Sequence, residues 1–193
     1  MSVYDLVMQR RSIRKFQQKP VAKELLDKLL DAGRLAPVGQ NIQPLEFIAV
    51  HEPATVAALF PLTQWAGYLE NAGPRAGEEP TAWVVIIHNH ALQAPLADQD
   101  IGFAAESIIL TALDEGVASC AMGAIDRPAI ATLLSVPKYG EVALAIALGY
   151  PAETAVAEEM QGDNVKYWRD EAGVHHVPKR KKERVAFWNK WGV

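Results

Sequence analysis

The sequence predicts an α+β fold (mixed α/β) in which helices flank a central mixed sheet. Short runs of β-branched and aromatic residues, bounded by proline or asparagine, alternate along the chain with longer segments of helical periodicity. Half of the 193 residues are hydrophobic, which is enough to bury one ordinary core. No internal repeat or low-complexity tract divides the chain, so we expect a single domain over residues 1–193.

Helical periodicity is strongest at residues 101–113, where apolar residues recur at i, i+3, i+4 and i+7 and Gly116 follows as a C′ residue. Alanines make up much of this apolar stripe. Another helix can therefore approach it closely, either in the chain's own core or across a dimer interface. Other signals predict helices at residues 3–9 behind the N-cap Ser2, at 22–35, at 127–134 behind the N-cap Asp126, and at 184–191.

Buried strands are predicted where short apolar runs lie between turn residues. These runs are Leu45–Val50, Trp83–His88, Ser119–Ile125 and Val142–Leu148. The stretch 53–80 is less regular and contains Trp65 and Tyr68 among prolines and glycines, a composition typical of a short helical pair or a mobile cover. Residues 150–178 follow no regular pattern, so we expect them to be irregular.

Charge and cysteine content limit the possible partners and location. The formal net charge of -4 argues against a general affinity for nucleic acids or acidic membranes. Residues 179–184 are an exception, because five positive charges face one negative charge there and a small anion can bind. We expect a reducing cytoplasm, because Cys120 is the single cysteine and the sequence shows no signal-peptide pattern. We expect no membrane insertion, because no apolar run reaches ~20 residues.

Signatures of several enzyme classes are missing, namely Gly-x-Gly-x-x-Gly, Gly-x-x-x-x-Gly-Lys-Ser/Thr and Gly-x-Ser-x-Gly. Residues 10–14, which read Arg-Arg-Ser-Ile-Arg, indicate a phosphate site instead, because guanidinium groups bind phosphate oxygens bidentately and stay charged. In an extended segment Arg10, Ser12 and Arg14 share one face. The alternative for this segment is a solvated basic surface with partial salt bridges.

Two further segments can contact a planar ligand. In the loop 36–44, the amides of Gln40, Asn41 and Gln43 can donate to and accept from the edge of a heterocycle. Such residues between two prolines are more often turn residues, and that alternative stays open. At 119–124, small residues near a strand end let backbone N–H groups approach a ring closely.

The histidines are weak metal candidates. His88 and His90 share one face of a predicted strand, but they lack a nearby cysteine or carboxylate cluster. His175 and His176 are adjacent, so in an extended segment they point apart and cannot easily share an ion. We therefore predict no metal site.

Several short motifs, taken in order, resemble the FMN-binding nitroreductase family over nearly the full length of the chain. They are Arg-Arg-Ser-Ile-Arg-Lys-Phe at 10–16, Ala-Pro-x-x-x-Asn-x-Gln-Pro at 36–44, Asp100 with the helix after it, Cys-x-Met-Gly at 120–123, Leu-Gly-Tyr-Pro at 148–151 and Val-Pro-Lys-Arg at 177–180. Each motif is weak alone, but their order and spacing together are specific. The resemblance implies a nitroreductase-like sheet flanked by helices, in an intertwined homodimer that binds FMN at its interface.

The resemblance also implies which residues bind the cofactor, and it implies no catalytic side chain because the flavin carries the chemistry. The flavin phosphate and the pyrimidine side of the ring would be held by Arg10, Arg11, Ser12 and Arg14. The phosphate clamp would be completed by Lys179 and Arg180. The ring would be lined by Pro37, Val38 and Gly39, with polar contacts from Asn41 and Gln43. The region near flavin N5 would be lined by Met122, Gly123 and Ala124.

An oxidoreductase activity follows from the resemblance. NADH or NADPH would reduce the FMN and leave, and a nitroaromatic, quinone or similar electron-poor acceptor would then be reduced in the same space, which is a ping-pong scheme. Val38, Leu45 and Ala121 depart from residues common in the family, and these departures leave the acceptor class open more than flavin binding. The alternatives are flavin fragmentation or reductive dehalogenation on the same scaffold, a non-enzymatic flavin-binding redox sensor, and a nucleic-acid-binding module that uses residues 179–184.

Overall fold

The computed structural model describes residues 1–69 and 73–192 of the chain. The α-helices in these ranges are α1 (Val3–Gln9), α2 (Lys23–Arg34), α3 (Pro53–Leu59), α4 (Ala97–Asp114) and α5 (Arg127–Leu133). The strands are β1 (Leu45–Val50), β2 (Ala82–Asn89), β3 (Ala118–Met122), β4 (Gly140–Gly149), β5 (Ala155–Glu159), β6 (Trp168–Arg169) and β7 (His175–Lys179). Short 3₁₀ turns cover Gly39–Asn41, Phe60–Leu62 and Lys182–Arg184.

The central sheet has four strands in the order β1-β2-β4-β3, and each neighbouring pair runs antiparallel. The predicted α+β class is therefore confirmed. Parallel pairing at this sheet is confined, in the described residues, to one isolated bridge between Ser12 and Ser119. The mixed character that we expected thus comes from the N-terminal segment, which runs beside β3 for a single residue.

Both faces of the central sheet are buried, which explains why its strands are continuous apolar runs in the sequence. Along β2, Trp83, Val85 and Ile87 face one core cluster, whereas Val84 and Ile86 face the other. Residues of α3 and α5 cover the first face, and residues of α2 and α4 cover the second. The sheet therefore lies in the middle of three layers.

α4 packs against α2 on the second face of the sheet. Its alanine stripe, which includes Ala104 and Ala105, is buried in the chain's own core, so the sequence's first alternative for this stripe is the one observed. The approach is close, because a Cβ added at Gly33 of α2 would come within 2.9 Å of Ile108. Gly116 follows α4 with a φ of 73°, as predicted for a C′ residue. Among the described residues, no helix is both long and apolar enough to cross a membrane.

The helix starts follow the predicted caps. Ser2 forms a capping box with Asp5 at the start of α1. At α5, the Asp126 side chain accepts the N–H of Ala129 at 3.1 Å. The helices α1, α2, α4 and α5 and the four central strands therefore lie where the sequence places them, within a few residues.

Residues 53–69 form the short helical pair that we expected, α3 followed by the turn Phe60–Leu62. Trp65 packs on the core beside Phe60 and Trp83, with ring centroids 5.9 and 6.3 Å away. Tyr68 instead packs against Tyr167, with the two ring centroids 5.0 Å apart. Residues 70–72 of the expected cover lie outside the described residues.

Residues 150–192 differ from the prediction. The stretch expected to be irregular contains a second sheet in the order β5-β7-β6, with β7 parallel to β5 and antiparallel to β6. The prediction of a helix at residues 184–191 is wrong, because only the turn Lys182–Arg184 forms in this region. The side chains of Trp188 and Trp191 are 83% and 87% exposed. A short amphipathic helix needs a surface that covers its apolar face, and the described chain offers none here.

Candidate functional site

The arginine-rich segment 10–14 runs along β3, which is an edge strand of the central sheet. Ser12 pairs with Ser119, and the N–H of Ile13 donates to the Ser119 carbonyl at 2.9 Å. Ile13 is buried in the core, so the alternation of an extended chain turns Ser12 and Arg14 to the opposite side. The shared face predicted for Arg10, Ser12 and Arg14 is therefore present for Ser12 and Arg14, whereas the Arg10 side chain pairs with Glu106 of α4.

Arg14 is held by residues of the C-terminal region. Its backbone N–H donates to Glu153 Oε1 at 2.5 Å, and its Nη1 lies 3.1 Å from His175 Nε2. The guanidinium carbon lies 5.1 Å from the centroid of the Tyr167 ring, within the range of a cation–π contact. Glu153 also pairs with Arg169 Nη2 at 2.6 Å. The second sheet thus fixes Arg14 beside β3.

Arg11 and Arg14 both carry a buried donor that lacks an acceptor. The Nε atom of each has no hydrogen-bond partner among the described residues. A buried unpartnered donor costs ~1–3 kcal/mol, and more when it is charged. Acceptor oxygens of an anionic ligand would satisfy such donors, so these residues fit the flavin phosphate or the carbonyl edge of its ring. Arg10 differs, because its Nε pairs with Glu106 at 3.3 Å.

A cavity of about 230 Å³ opens beside this segment. Its lining includes Arg10, Arg11, Ser119 and Glu153. Pockets for small molecules typically enclose ~300–1,000 Å³. The cavity alone is therefore too small for a ligand of flavin size, which would need walls beyond it.

The loop that carries the predicted amides has an unusual backbone. Gln40, Asn41 and Gln43 have φ angles of 53°, 55° and 55°, in the left-handed region that residues other than glycine rarely adopt. The buried carboxylate of Asp100 anchors the loop by accepting the N–H of Gly39 at 2.8 Å. Such strained residues concentrate at ligand sites, and Asn41 and Gln43 are exposed.

The amide loop and the arginine segment lie at opposite edges of the central sheet. The loop leads into β1 at one edge, and the segment runs along β3 at the other. Three strand spacings, roughly 14 Å, separate these edges. Within one chain, the predicted ring-lining residues Pro37, Val38 and Gly39 are therefore not brought to the predicted phosphate ligands.

The end of β3 lies on the same edge as the arginine segment. Met122 is buried, whereas Gly123 and Ala124 are exposed and begin about 13 Å along the chain from Ser119. The Ala124 carbonyl accepts the N–H of Gln64 at 2.9 Å, which fixes the turn. A Cβ added at Gly123 would meet no atom within 4 Å, so the space beside it is open to a ligand.

Lys179 and Arg180 lie at the exposed end of β7. Side chains alternate along a strand, so Lys179 lies on the same face as His175, roughly 13 Å further along. The Lys179 carbonyl accepts the N–H of Met160 at 2.8 Å, which fixes this end of the strand. His175 contacts Arg14 of the arginine segment. Lys179 therefore lies on the face of β7 that is turned toward this segment.

The residues that hold Arg14 were missed by the sequence analysis. Glu153 and His175 lie 139 and 161 positions from Arg14, and no motif links them. The one usable signal was the adjacency of His175 and His176, which do point apart as predicted. His175 is fully buried and faces Arg14, whereas His176 lies between Glu158 at 2.9 Å and Asp170 at 3.3 Å.

His88 and His90 also lie as predicted, with ring centroids 4.2 Å apart. His90 Nε2 contacts Glu141 at 2.7 Å, so one ring nitrogen is already engaged. Within residues 1–69 and 73–192, no three histidine, cysteine or carboxylate side chains are grouped as a metal site requires.

Burial changes the protonation of two groups beside Arg14. Desolvation raises the pKa of the Cys120 thiol, although the Arg14 charge and a hydrogen bond with Ser12 act in the opposite direction. Desolvation and the Arg14 charge together lower the pKa of His175 to about 4. At pH 7 Cys120 is therefore a thiol, not an activated nucleophile, and His175 is a neutral imidazole.

Known proteins match most of the chain. The model of the nitroreductase family matches residues 7–150. A putative NADH dehydrogenase/NAD(P)H nitroreductase from Methanothermobacter thermautotrophicus is 30% identical over 158 residues, which are 79% of this chain and 79% of that protein.

Solved structures share the fold. A putative NADH dehydrogenase/NAD(P)H nitroreductase from Parabacteroides distasonis matches with a TM-score of 0.71 and 22% identity, and 98% of each chain is covered. An FMN-dependent nitroreductase from Clostridium difficile matches with a TM-score of 0.69 and 24% identity, and the match covers 96% of this chain and 98% of the other.

Proposed function

The chain belongs to the nitroreductase family, and we propose that it is an FMN-dependent oxidoreductase that takes its electrons from NADH or NADPH. The observation that carries the proposal is the pair of buried, unpartnered Nε donors on Arg11 and Arg14, in the segment that resembles the family's phosphate motif. Bound FMN would supply two-electron redox chemistry, which no side chain of this chain provides. The protein binds and orients the cofactor and limits what reaches it.

The proposed cofactor ligands divide by position. At the β3 edge, the phosphate and the pyrimidine side are bound by Arg10, Arg11, Ser12 and Arg14, with Met122, Gly123 and Ala124 beside the ring. The end of β7 adds the cations Lys179 and Arg180. The amide loop adds Pro37, Val38, Gly39, Asn41 and Gln43. Because the loop lies at the far edge of its own sheet, it would serve the flavin of a second copy.

The proposal therefore includes an intertwined homodimer, which this separation supports. Two further features support it: the cavity at the arginine segment is too small alone, and the outer surface of α1 exposes apolar side chains. Val3 and Tyr4 are each 71% exposed and Met8 is 54% exposed, while Phe103 on the neighbouring α4 is 53% exposed. Exposed apolar residues that form a patch mark interaction surfaces, and α1 contacts α4.

We propose a ping-pong order in which the nicotinamide leaves before the acceptor enters. Candidate acceptors are nitroaromatics, quinones and similar electron-poor compounds. Water can supply the protons, because the buried Cys120 thiol has a raised pKa and the neutral His175 imidazole is a very weak acid at pH 7. The single cysteine supports a reducing compartment such as the cytoplasm for a one-domain protein of residues 1–193.

The visible spectrum of the purified, desalted protein tests the proposal. We expect a flavin spectrum that bleaches within seconds of anaerobic addition of NADH or NADPH and returns on addition of a quinone or nitroaromatic. A flavin that stays oxidised with both nucleotides would favour the redox sensor. If no flavin is present and added FMN does not bind, the proposed function is wrong.

A matched pair of variants tests the ligand assignment. Arg11→Gln removes a charge with a buried donor and should weaken FMN binding roughly 10- to 100-fold, the value of a hydrogen bond to a charged group. Lys15→Gln is the control from the same segment, because Lys15 pairs with Glu78 at 3.3 Å and is not among the proposed ligands. Equal FMN affinities for the two variants would contradict the assignment.

A further inference from the structure

His175 is completely buried, although a histidine side chain carries two polar nitrogens. The charged groups that face it come from several elements: Arg14 of the N-terminal segment, Glu153 before β5 and Arg169 on β6. The Tyr167 ring lies 5.2 Å from it. On its own strand, the neighbouring His176 points to the other face. His175 is therefore surrounded by the residues that also hold Arg14.

The partner of His175 defines its tautomer. A guanidinium has donors and no acceptor, so His175 Nε2, at 3.1 Å from Arg14 Nη1, must accept. The proton of the neutral ring must then lie on Nδ1, which is buried without a hydrogen-bond partner among the described residues. A protonated ring could not accept this bond and would repel Arg14. The low pKa of His175, about 4, keeps the imidazole neutral at physiological pH.

A neutral acceptor orients Arg14 without neutralising it. Glu153 does not pair with the Arg14 guanidinium: its Oε1 accepts the Arg14 backbone N–H and its Oε2 pairs with Arg169. The other acceptor of Arg14 Nη1, the Ser12 carbonyl at 3.5 Å, is also uncharged. The Tyr167 ring supports the guanidinium face and adds no charge. The Arg14 side chain is thus fixed in place while no carboxylate neutralises its charge and its buried Nε has no hydrogen-bond partner among the described residues.

We propose that His175 is a positioning residue that holds the Arg14 guanidinium ready for the flavin. This inference rests on the proposed function, because it assumes that Arg14 binds FMN. It assigns a role in cofactor affinity to the second sheet, at a residue that does not itself touch the cofactor.

Titration of FMN into flavin-stripped protein at pH 7.5 tests the proposal with three variants. His175→Leu removes the acceptor and should weaken FMN binding roughly 10- to 100-fold. His175→Gln offers an uncharged acceptor oxygen and should restore affinity to within about threefold of the unsubstituted protein. His176→Gln, on the opposite face of the same strand, should leave FMN affinity unchanged.

A pH profile supplies a readout that a purely structural role would not move. Below about pH 5, protonation of His175 should weaken FMN binding by the unsubstituted protein more steeply than by His175→Gln. The second ionisation of the FMN phosphate, with a pKa near 6, affects both proteins alike and cancels in the comparison. Because the pH profile compares the unsubstituted protein with His175→Gln, it tests the role of His175 even if His175→Leu fails to fold.

The outcomes separate the two proposals. If the unsubstituted protein binds FMN but His175→Leu binds equally well, or if the two pH profiles coincide, His175 does not position Arg14 and the proposed function stands. If the unsubstituted protein does not bind FMN at any pH, the proposed function fails and the role of His175 fails with it.

Discussion

The central sheet and the C-terminal sheet are stabilised in different ways. In β2, the side chains of Trp83, Val84, Val85 and Ile86 are completely buried between two helical layers. In the C-terminal sheet, Val156 of β5 is 37% exposed and Trp168 of β6 is 44% exposed. Its strands are joined instead by polar side chains, through Arg169 with Glu153 and through His176 with Glu158 and Asp170.

This difference suggests that the central sheet mainly stabilises the fold, whereas the C-terminal sheet contributes to the candidate cofactor site. Apolar burial stabilises the central sheet without a change of protonation, whereas the stabilisation from paired charges depends on pH and is screened by salt. The C-terminal region supplies Glu153 and His175, which hold Arg14, so the contacts of these two residues bear directly on the candidate site. Three substitutions test this contrast, in order of expected effect.

The largest effect is expected in the central core. Ile146→Ala in β4 removes a fully buried side chain and should lower the free energy of unfolding by ~2–5 kcal/mol. Val156→Ala in β5 is the control and should cost less than ~0.5 kcal/mol because the side chain is partly exposed. Denaturant unfolding at one fixed protein concentration measures both. Similar losses at the two positions would show that the two sheets do not differ in this way.

An intermediate effect is expected where the C-terminal sheet meets the arginine segment. Glu153→Gln keeps an acceptor for the Arg14 backbone but removes the charge that pairs with Arg169, and it should cost ~1.5–3 kcal/mol. A double-mutant cycle with Arg169→Met isolates the pair and should give a coupling above ~0.5 kcal/mol. Strictly additive losses would mean that the ion pair contributes nothing to stability.

The smallest effect concerns pH and the outer face of β7. Desolvation lowers the pKa of His176, but hydrogen bonds and charge attraction from Asp170 and Glu158 outweigh it and raise the pKa above 6.5. The stabilisation is therefore complete below pH 6.5 and is lost as pH rises through the raised pKa. Hydrogen exchange of residues 155–179 between pH 5 and 8.5, corrected for intrinsic rates, should show protection falling in the unsubstituted protein and constant in His176→Gln. Parallel profiles in the two proteins would contradict the assignment.

The same contrast explains what the sequence could predict. The central strands were predicted because burial on both faces leaves an apolar run, as in Trp83–His88. The strands β5 and β7 carry glutamates, histidines and a lysine, and their favourable contacts join residues far apart in the chain. No local pattern records such contacts, so this sheet was missed.

The helix expected at residues 184–191 failed for a related reason. Phe187, Trp188 and Trp191 have helical spacing, but spacing predicts a helix only where a surface receives the apolar face. Asn189 instead adopts a φ of 60°, which ends any continuous helix.

The candidate site was predictable in part. The motif at residues 10–14 located Arg14 and the buried donors, since motif resemblance records local sequence. The neutral acceptor opposite Arg14 was not predictable, because its function depends on a burial and a contact that only the folded chain creates.

The two adjacent histidines of β7 have a consequence for strand alignment. A slip of β7 by one position would bring His176 to the site beside Arg14 or, in the other direction, His175 to the site between Glu158 and Asp170. Side-chain shape at that one site would then not reveal the slip. The two histidines differ in charge, however. At mildly acidic pH a slipped strand would place an imidazolium against Arg14 or leave an uncharged ring between Glu158 and Asp170. Opposite protonation of two identical side chains thus marks the correct register of the strand.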